Sequence, residues 1–237
     1  MSGMANFVLV PGAWLGAWAW DEVAGLIREA GHAVYPVTLS GLAERQGDDA
    51  AKVSQTQHVD DIVAVVEDND LREVVLAGHS YSGIPAGQAA ARIGDRLRRV
   101  VYVDSNIPTD GKSFIDGSSD EGRAWLEGQI AESGGFWPPL EPADYVGQDL
   151  TDDAIATIVE RSTPHPGRAI SEPAQLVQPI GDLPTTYIKC LMDGAIPSSD
   201  VLEQLKSPSW ELVDLGTGHW PMFSQPTELA RIFLDLD

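Results

Sequence analysis

Between an apolar run and a run of small residues, the stretch "LAGHSYSGIPAGQAA" at positions 76–90 places one serine, Ser80, at a corner flanked by Gly78 and Ser82. Glycine at so tight a corner signals a left-handed backbone or a close approach to another segment. Strand, turn and small-residue helix in that order make a nucleophile elbow, which lifts the central hydroxyl above the sheet for attack on an electrophilic carbon. The spacing departs from G-x-S-x-G in one place, because Ser82 occupies the last position. Ser is small enough to fit there, and Gly83 follows it. Ser80 is the expected nucleophile.

A serine hydroxyl needs a base to take its proton. On such an elbow the acid and then the base follow the serine along the chain. Of the five histidines, His219 in "DLGTGHWPMF" directly follows the last strand pattern, on a glycine-rich loop able to reach Ser80. It is the expected general base. His32 follows a helix end, His79 adjoins the serine with its side chain directed elsewhere, and His58 and His165 are expected to be solvated or structural. The acid should come just after the preceding strand pattern, "TTYIKCLM", where Asp193 is expected to orient His219 and stabilise its charge. Asp104, ending "RVVYVD", is the alternative, because a neighbouring strand can also supply the acid; otherwise it would hold the loop leaving that strand. Replacing Asp193 by Asn is then expected to cost up to roughly 10⁴-fold in kcat. A small loss there with a large one at Asp104 would reverse the assignment.

Attack on a carbonyl creates an oxyanion, which two backbone N–H groups could bind. Tyr81, directly after the nucleophile, is one expected donor. Ala13, in the "VPGAW" loop after the first strand pattern, is the other, with Gly12 as the next choice. Gly12, Trp14, Trp220 and Met222 are candidates to line an apolar pocket beside the reacting carbon. Activity is expected to rise as His219 loses its proton, at roughly pH 6–7.5.

These residues need a scaffold that brings strand ends together. Apolar runs at 7–10, 33–37, 73–77 and 99–104 alternate with helical patterns. Leu15, Trp18, Val23, Leu26, Ile27 and Ala30 share one helical face, closed by Gly31. Ser54 with Gln57 forms a capping box, followed by the stripe Val59, Ile62, Val63 and Val66. A further helix is expected over 82–93. Such alternation predicts an α/β fold with a mostly parallel sheet covered by helices on both faces, with ligands bound beyond the carboxyl ends of the strands. The rhythm stops between 107 and 182, where Pro, Gly and acidic residues abound and the helical pieces are short, near 121–130 and 152–161. That segment also carries Phe114, Trp125, Phe136, Trp137 and Tyr145, more aromatics than a linker holds. It reads as a cap inserted into a core made of 1–106 and 183–237. The βα rhythm resumes at 185–192, with a helix near 198–206, the strand pattern "WELVDL" and a last helix after Pro226.

Composition sets outer bounds. The 237 residues carry a formal net charge of −21, so nucleic acid and anionic membrane surfaces are not expected partners. Anionic substrates are disfavoured on the same ground. The single cysteine, Cys190, forms no intramolecular disulfide and sits mid-strand away from any base. No apolar run reaches about 18 residues, and the start of the chain enters a strand without a basic leader, so a cytoplasmic protein is expected. No G-x-G-x-x-G, P-loop or metal-spaced His/Cys cluster occurs, so neither a cofactor nor a metal is expected.

With Ser80, Asp193 and His219 in place, the chain resembles the α/β-hydrolase superfamily, and within it the plant methylesterase and hydroxynitrile lyase branch with its bacterial relatives. "FVLVPGAWLGAWAWDEVAGLIREAGHAVYPVTLSG", "AGHSYSG", "VYVD", "LMDGAIP" and "DLGTGHWPMFSQPTELA" carry the resemblance in order, across both core segments. The cap matches only in position and length. Pro11 stands where the family's H-G opening has His, and Gly12 and Trp220 stand where the lyases use Thr and Lys. Without that Lys nothing obvious stabilises a departing cyanide. A Ser nucleophile also differs from the Asp that epoxide hydrolases and haloalkane dehalogenases of this fold require. The resemblance therefore implies a serine hydrolase of a small apolar or aromatic carboxylic ester, or a lactone. Hydrolysis of a thioester or a C–C bond by the same triad, or a non-turnover ligand receptor on the same scaffold, are the alternatives. Relatives in this branch are often dimers, which makes a homodimer the protein partner that the resemblance suggests.

Overall fold

The structure is a computed structural model that describes residues 4–47 and 49–236. In chain order it contains β1 (Asn6–Val10), α1 (Asp21–Glu29), β2 (Ala33–Pro36), α2 (Gln55–Asp68), β3 (Val74–His79), α3 (Gly83–Arg92) and β4 (Leu97–Val103). There follow α4 (Asp120–Glu132), β5 (Phe136–Trp137), α5 (Asp152–Arg161), β6 (His165–Pro166) and α6 (Gly167–Ser171). The chain ends with β7 (Thr185–Cys190), α7 (Ser199–Gln204), β8 (Trp210–Leu215), α8 (Pro221–Ser224) and α9 (Pro226–Leu234). None of the described helices is long and apolar enough to cross a membrane.

Six strands form one sheet in the order β2-β1-β3-β4-β7-β8, and every pairing in it is parallel. Successive side chains of a strand point to opposite faces, and β1 shows the consequence. Val8 and Val10 join an apolar cluster with Val59 and Ile62 of α2 and Ala86 of α3. Phe7 and Leu9 join a second cluster with Val23 and Ile27 of α1 and Phe233 of α9. Both faces are covered, and β3 is buried along its whole length. Parallel strands end on the same side, so the segments after β1, β3, β4, β7 and β8 converge on one edge. Those segments carry Gly12 to Trp14, Ser80, Asp104, Asp193 and His219.

The local signals hold with one adjustment. The Ser54 hydroxyl accepts from the Gln57 N–H at 3.2 Å at the start of α2, which is one half of the expected capping box, and Gly31 after α1 takes φ +96°. The first helical face, however, does not start at Leu15. Trp14 has φ +67° and Gly16 is extended, so the chain makes only a 3₁₀ turn over Ala17–Trp20 before α1. The Ala17 N–H donates to Thr38 Oγ1 at 2.8 Å, an interaction across the sheet edge that local periodicity does not reveal.

Between β4 and β7 the chain adds no strand to the main sheet. It forms α4, α5, α6 and a separate antiparallel pair in which Phe136 faces Pro166 and Trp137 faces His165. Ile115, Leu126, Ala169 and Ile170 of this segment belong to the same apolar cluster as α2 and α3, and Tyr145 and Ile158 to the cluster of α1 and α9, so it packs against both.

Candidate active site

Ser80 sits on the elbow between β3 and α3 with φ +54°. Trp14 (φ +67°) and Asp104 (φ +41°) carry the same left-handed strain at the ends of β1 and β4. Non-glycine residues in that region concentrate where surrounding structure over-determines the backbone, as at catalytic sites. Crossing of strand and helix at the elbow is close: a Cβ on Gly78 would lie 2.7 Å from the Ser82 carbonyl and 2.9 Å from Ala86 Cβ.

The two departures from the family motif meet each other. Ser82 Oγ donates to the Pro11 carbonyl, tying the elbow to the loop after β1. That loop lies directly against Ser80, since a Cβ on Gly12 would come within 3.0 Å of Ser80 Cβ and 2.7 Å of His79 Nδ1. Only glycine fits there.

His219 reaches the elbow from the loop after β8, with Nε2 2.9 Å from Ser80 Oγ. Two hydrogen bonds hold its backbone. The His219 carbonyl accepts from His79 Nε2 at 2.7 Å, and its N–H donates to Gln148 Oε1 at 2.7 Å. Trp220 beside it packs on Tyr145 with ring centroids 4.7 Å apart. Gln148 and Tyr145 belong to the segment between β4 and β7, so that segment helps to fix His219 and its neighbour Trp220.

Nδ1 of His219 faces two carboxylates where a single acid was anticipated. Asp104 Oδ2 is 2.7 Å away and Asp193 Oδ2 is 3.2 Å away. Asp104, the alternative by sequence, is the nearer; its side chain is 2% exposed against 43% for Asp193. The other Asp104 oxygen accepts from Lys189 Nζ at 2.5 Å and from the Cys190 N–H at 3.2 Å. Lys189 Nζ also donates to the Asp193 carbonyl at 2.9 Å.

This setting changes the titration of His219. Burial alone would lower the His219 pKa, but hydrogen bonds and charge from Asp104 and Asp193 outweigh it and raise the value to about 9. The expected rise in activity at pH 6–7.5 therefore moves upward, because two anions rather than one stabilise the imidazolium. Asp193 is held well below the usual carboxylate range, chiefly by its hydrogen bond from His219. His79 goes the other way: burial and the neighbouring His219 push it down to about 3, so it stays neutral.

The residues suggested for the pocket divide. Trp14 joins an aromatic cluster with Trp137 (4.2 Å between centroids), while Phe114 packs on Trp137 (5.5 Å) and Tyr81 lies 4.6 Å from His165. Met222, 1% exposed, and Trp220, 6% exposed, lie in the apolar cluster with Trp20, Leu229 and Phe233, and core packing accounts for both. His58 and His165 are fully buried. His58 bridges the Tyr81 hydroxyl and the Ser40 carbonyl, each at 2.9 Å, and His165 Nδ1 accepts from the Trp14 N–H at 3.4 Å. Thus both loops expected to bind an oxyanion are braced by buried histidines. Cys190 is buried, and burial raises its thiol pKa far from a nucleophile's range.

Asp104, Asp193 and His219 are also the one grouping among the described residues with the spacing to hold a metal ion. The Lys189 ammonium already supplies positive charge at that point, which opposes a second cation.

Sequence reasoning missed Lys189 and Gln148; of the solvated or structural roles it offered His58 and His165, the structure shows the structural one. Only Lys189 left a trace: a lone charge within the apolar strand "TTYIKC".

Comparison with known proteins agrees with the architecture. The family described as "Alpha/beta hydrolase family" matches residues 7–232. The chain is 28% identical to a carbendazim hydrolyzing esterase from Nocardioides sp. (strain SG-4G), over 96% of this chain and 98% of that one. It is 27% identical to methylesterase 9 of Arabidopsis thaliana, over 98% of both. Among solved structures, an extracellular alpha/beta-hydrolase from a Paenibacillus species superposes with a TM-score of 0.85 at 22% identity, covering 98% of both chains.

Proposed function

The chain belongs to the alpha/beta hydrolase family and is a carboxylic-ester hydrolase; from that premise we propose that it cleaves a small apolar or aromatic ester through an acyl-enzyme on Ser80. The observation that carries this reading is the unbroken chain of hydrogen bonds from Ser80 Oγ to His219 Nε2 and from His219 Nδ1 to Asp104, at 2.9 and 2.7 Å. His219 takes the Ser80 proton as Oγ attacks the ester carbonyl. The N–H groups of Ala13 and Tyr81 bind the oxyanion, and the imidazolium then protonates the departing alkoxide. Water, activated by the same imidazole, releases the acid and restores Ser80.

The two carboxylates divide the work. Asp104, buried and doubly held, fixes the ring and its tautomer. Asp193, half exposed, adds charge that stabilises the imidazolium. The aromatic cluster of Trp14, Tyr81, Phe114 and Trp137 supports an apolar acyl or alcohol group, and relatives named as methylesterases support a small alcohol. A thioester or lactone would meet the same machinery.

Hydrolysis of p-nitrophenyl acetate, butyrate and octanoate, with Ser80→Ala beside the wild type and a fluorophosphonate label located by mass spectrometry, tests the reading. Multiple turnovers that vanish in the variant, with label on Ser80, are the expected result. Labelling without turnover would favour a receptor, and neither would sink the assignment of Ser80.

A further inference from the structure

Two carboxylates on one imidazole pose an electrostatic difficulty. Each stabilises the imidazolium, so together they oppose the neutral form that a general base requires. The structure contains a counterweight that a conventional serine triad does not need. Lys189 projects from β7 with its side chain 7% exposed and donates to Asp104 Oδ1 at 2.5 Å. A second donor reaches the backbone carbonyl of Asp193 at 2.9 Å, so the same ammonium fixes the turn that carries the second acid.

We propose that Lys189 is a positioning residue of the active site, which offsets the charge of Asp104 and anchors the Asp193 turn, so that the two acids favour the imidazolium less strongly than they would unopposed. The inference rests on the reading of His219 as general base. With the imidazolium present, Asp104, Asp193, His219 and Lys189 sum to zero charge; with the neutral imidazole they sum to minus one. That is the balance of an ordinary triad with a single acid. Without Lys189 the same states would carry minus one and minus two, and the imidazolium would be favoured further.

The other groups around His219 leave this balance intact. His79, from the end of β3, lies 4.9 Å away between ring centroids and is neutral, as burial dictates. Ser80 and the Trp220 ring, 5.0 Å away, carry no charge. Gln148, from the segment between β4 and β7, contributes only its amide oxygen. Tyr187 and Cys190, on β7 near Asp104, are both pushed upward by burial and remain protonated. Among the described residues, Lys189 is thus the cation that meets the Asp104 carboxylate and the Asp193 turn.

An alternative role is purely architectural, as a buried ion pair joining β4 to β7. Stability measurements would not separate the two, but the titration of His219 does. The experiment follows the imidazole of His219 by NMR in protein labelled with ¹⁵N-histidine, alongside kcat/KM against pH for p-nitrophenyl acetate. Lys189→Gln keeps a donor toward Asp104 and removes the charge. It is expected to raise the His219 midpoint by about one pH unit, lowering kcat/KM about tenfold at every pH below the limb. Lys189→Arg is expected to leave the midpoint within about 0.3 unit of the wild type. Should Lys189→Gln fail to fold, Asp104→Asn is compared with the double variant K189Q/D104N, which leaves no unpaired buried ion; the double variant should titrate higher by about the same unit.

A His219 midpoint unchanged on removal of the lysine charge overturns the proposal, whatever happens to Tm. Failure of the catalytic reading is seen separately, as hydrolysis that survives Ser80→Ala. The NMR midpoints still judge Lys189 in that event, since they do not depend on turnover.

Discussion

The ends of β4 and β7 each deliver a carboxylate to the same nitrogen, yet they do so from opposite surroundings. Asp104 leaves β4 on a strained residue, is 2% exposed in its side chain, and is held by Lys189, the Cys190 N–H and His219. Asp193 lies three residues beyond β7, is 43% exposed, and neighbours the exposed apolar side chains Leu191, Met192 and Ile196. A buried acceptor with every oxygen engaged sets geometry. A half-exposed one is screened by water and contributes mainly charge. The acid that the sequence ranks second is therefore the nearer and more deeply buried of the two.

The largest expected effect separates them directly. Asp104→Asn should lower kcat by up to about 10⁴-fold, because the amide no longer enforces the tautomer that presents Nε2 to Ser80. Asp193→Asn should cost about 10- to 100-fold, the value of a hydrogen bond to a charged group. Steady-state kinetics on both variants check this, and the reverse order would break the comparison.

The next effect lies in the pH profile. In the wild type, kcat/KM should climb through about pH 9 with unit slope as His219 deprotonates. Asp193→Asn should move that limb down toward the ordinary histidine range, near pH 6.5–7. A limb that stays at 9 in this variant would mean that Asp193 supplies no charge stabilisation.

Stability should run against activity over the same window. The folded-state pKa of His219 is raised above its unfolded value, so its ion pairs stabilise the fold fully below about pH 6.5 and are lost as pH rises through about 9. The difference in Tm between wild type and His219→Gln should therefore shrink across that range. A constant difference would contradict the raised pKa.

The smallest effect belongs to the end of β3, outside both acids. Ser82→Ala removes the hydrogen bond to the Pro11 carbonyl and should cost about 1 kcal/mol of stability, read from urea unfolding. Its effect on the acid limb should be nil, which separates bracing of the elbow from charge at His219.

Much of this molecule could be read from local pattern. Ser80 was legible because a nucleophile elbow needs strand, tight turn and small-residue helix in immediate succession, and all three are contiguous. His219 was legible because glycines and the end of a strand pattern bracket it. The six main strands and α2, α5 and α9 follow from periodicity and capping. The pair β5 and β6 was not legible, since two residues per strand hold no period. Trp220 and Met222 illustrate another limit: their apolar character is equally consistent with a pocket or a core, and only their burial beside Phe233 decides.

By itself, then, the sequence determined the parallel α/β scaffold and offered Ser80, His219 and, with Asp104 as the alternative, Asp193 as candidates, because each is written in short-range spacing. The tertiary structure alone decided that both acids reach Nδ1, that Lys189 meets them there, and that Gln148 and His79 hold the His219 backbone. The reason is physical. Which strands become neighbours brings Asp104, Lys189 and His219 together across 85 and 115 residues of chain, and distances and burial at such junctions are set by packing rather than by any local pattern.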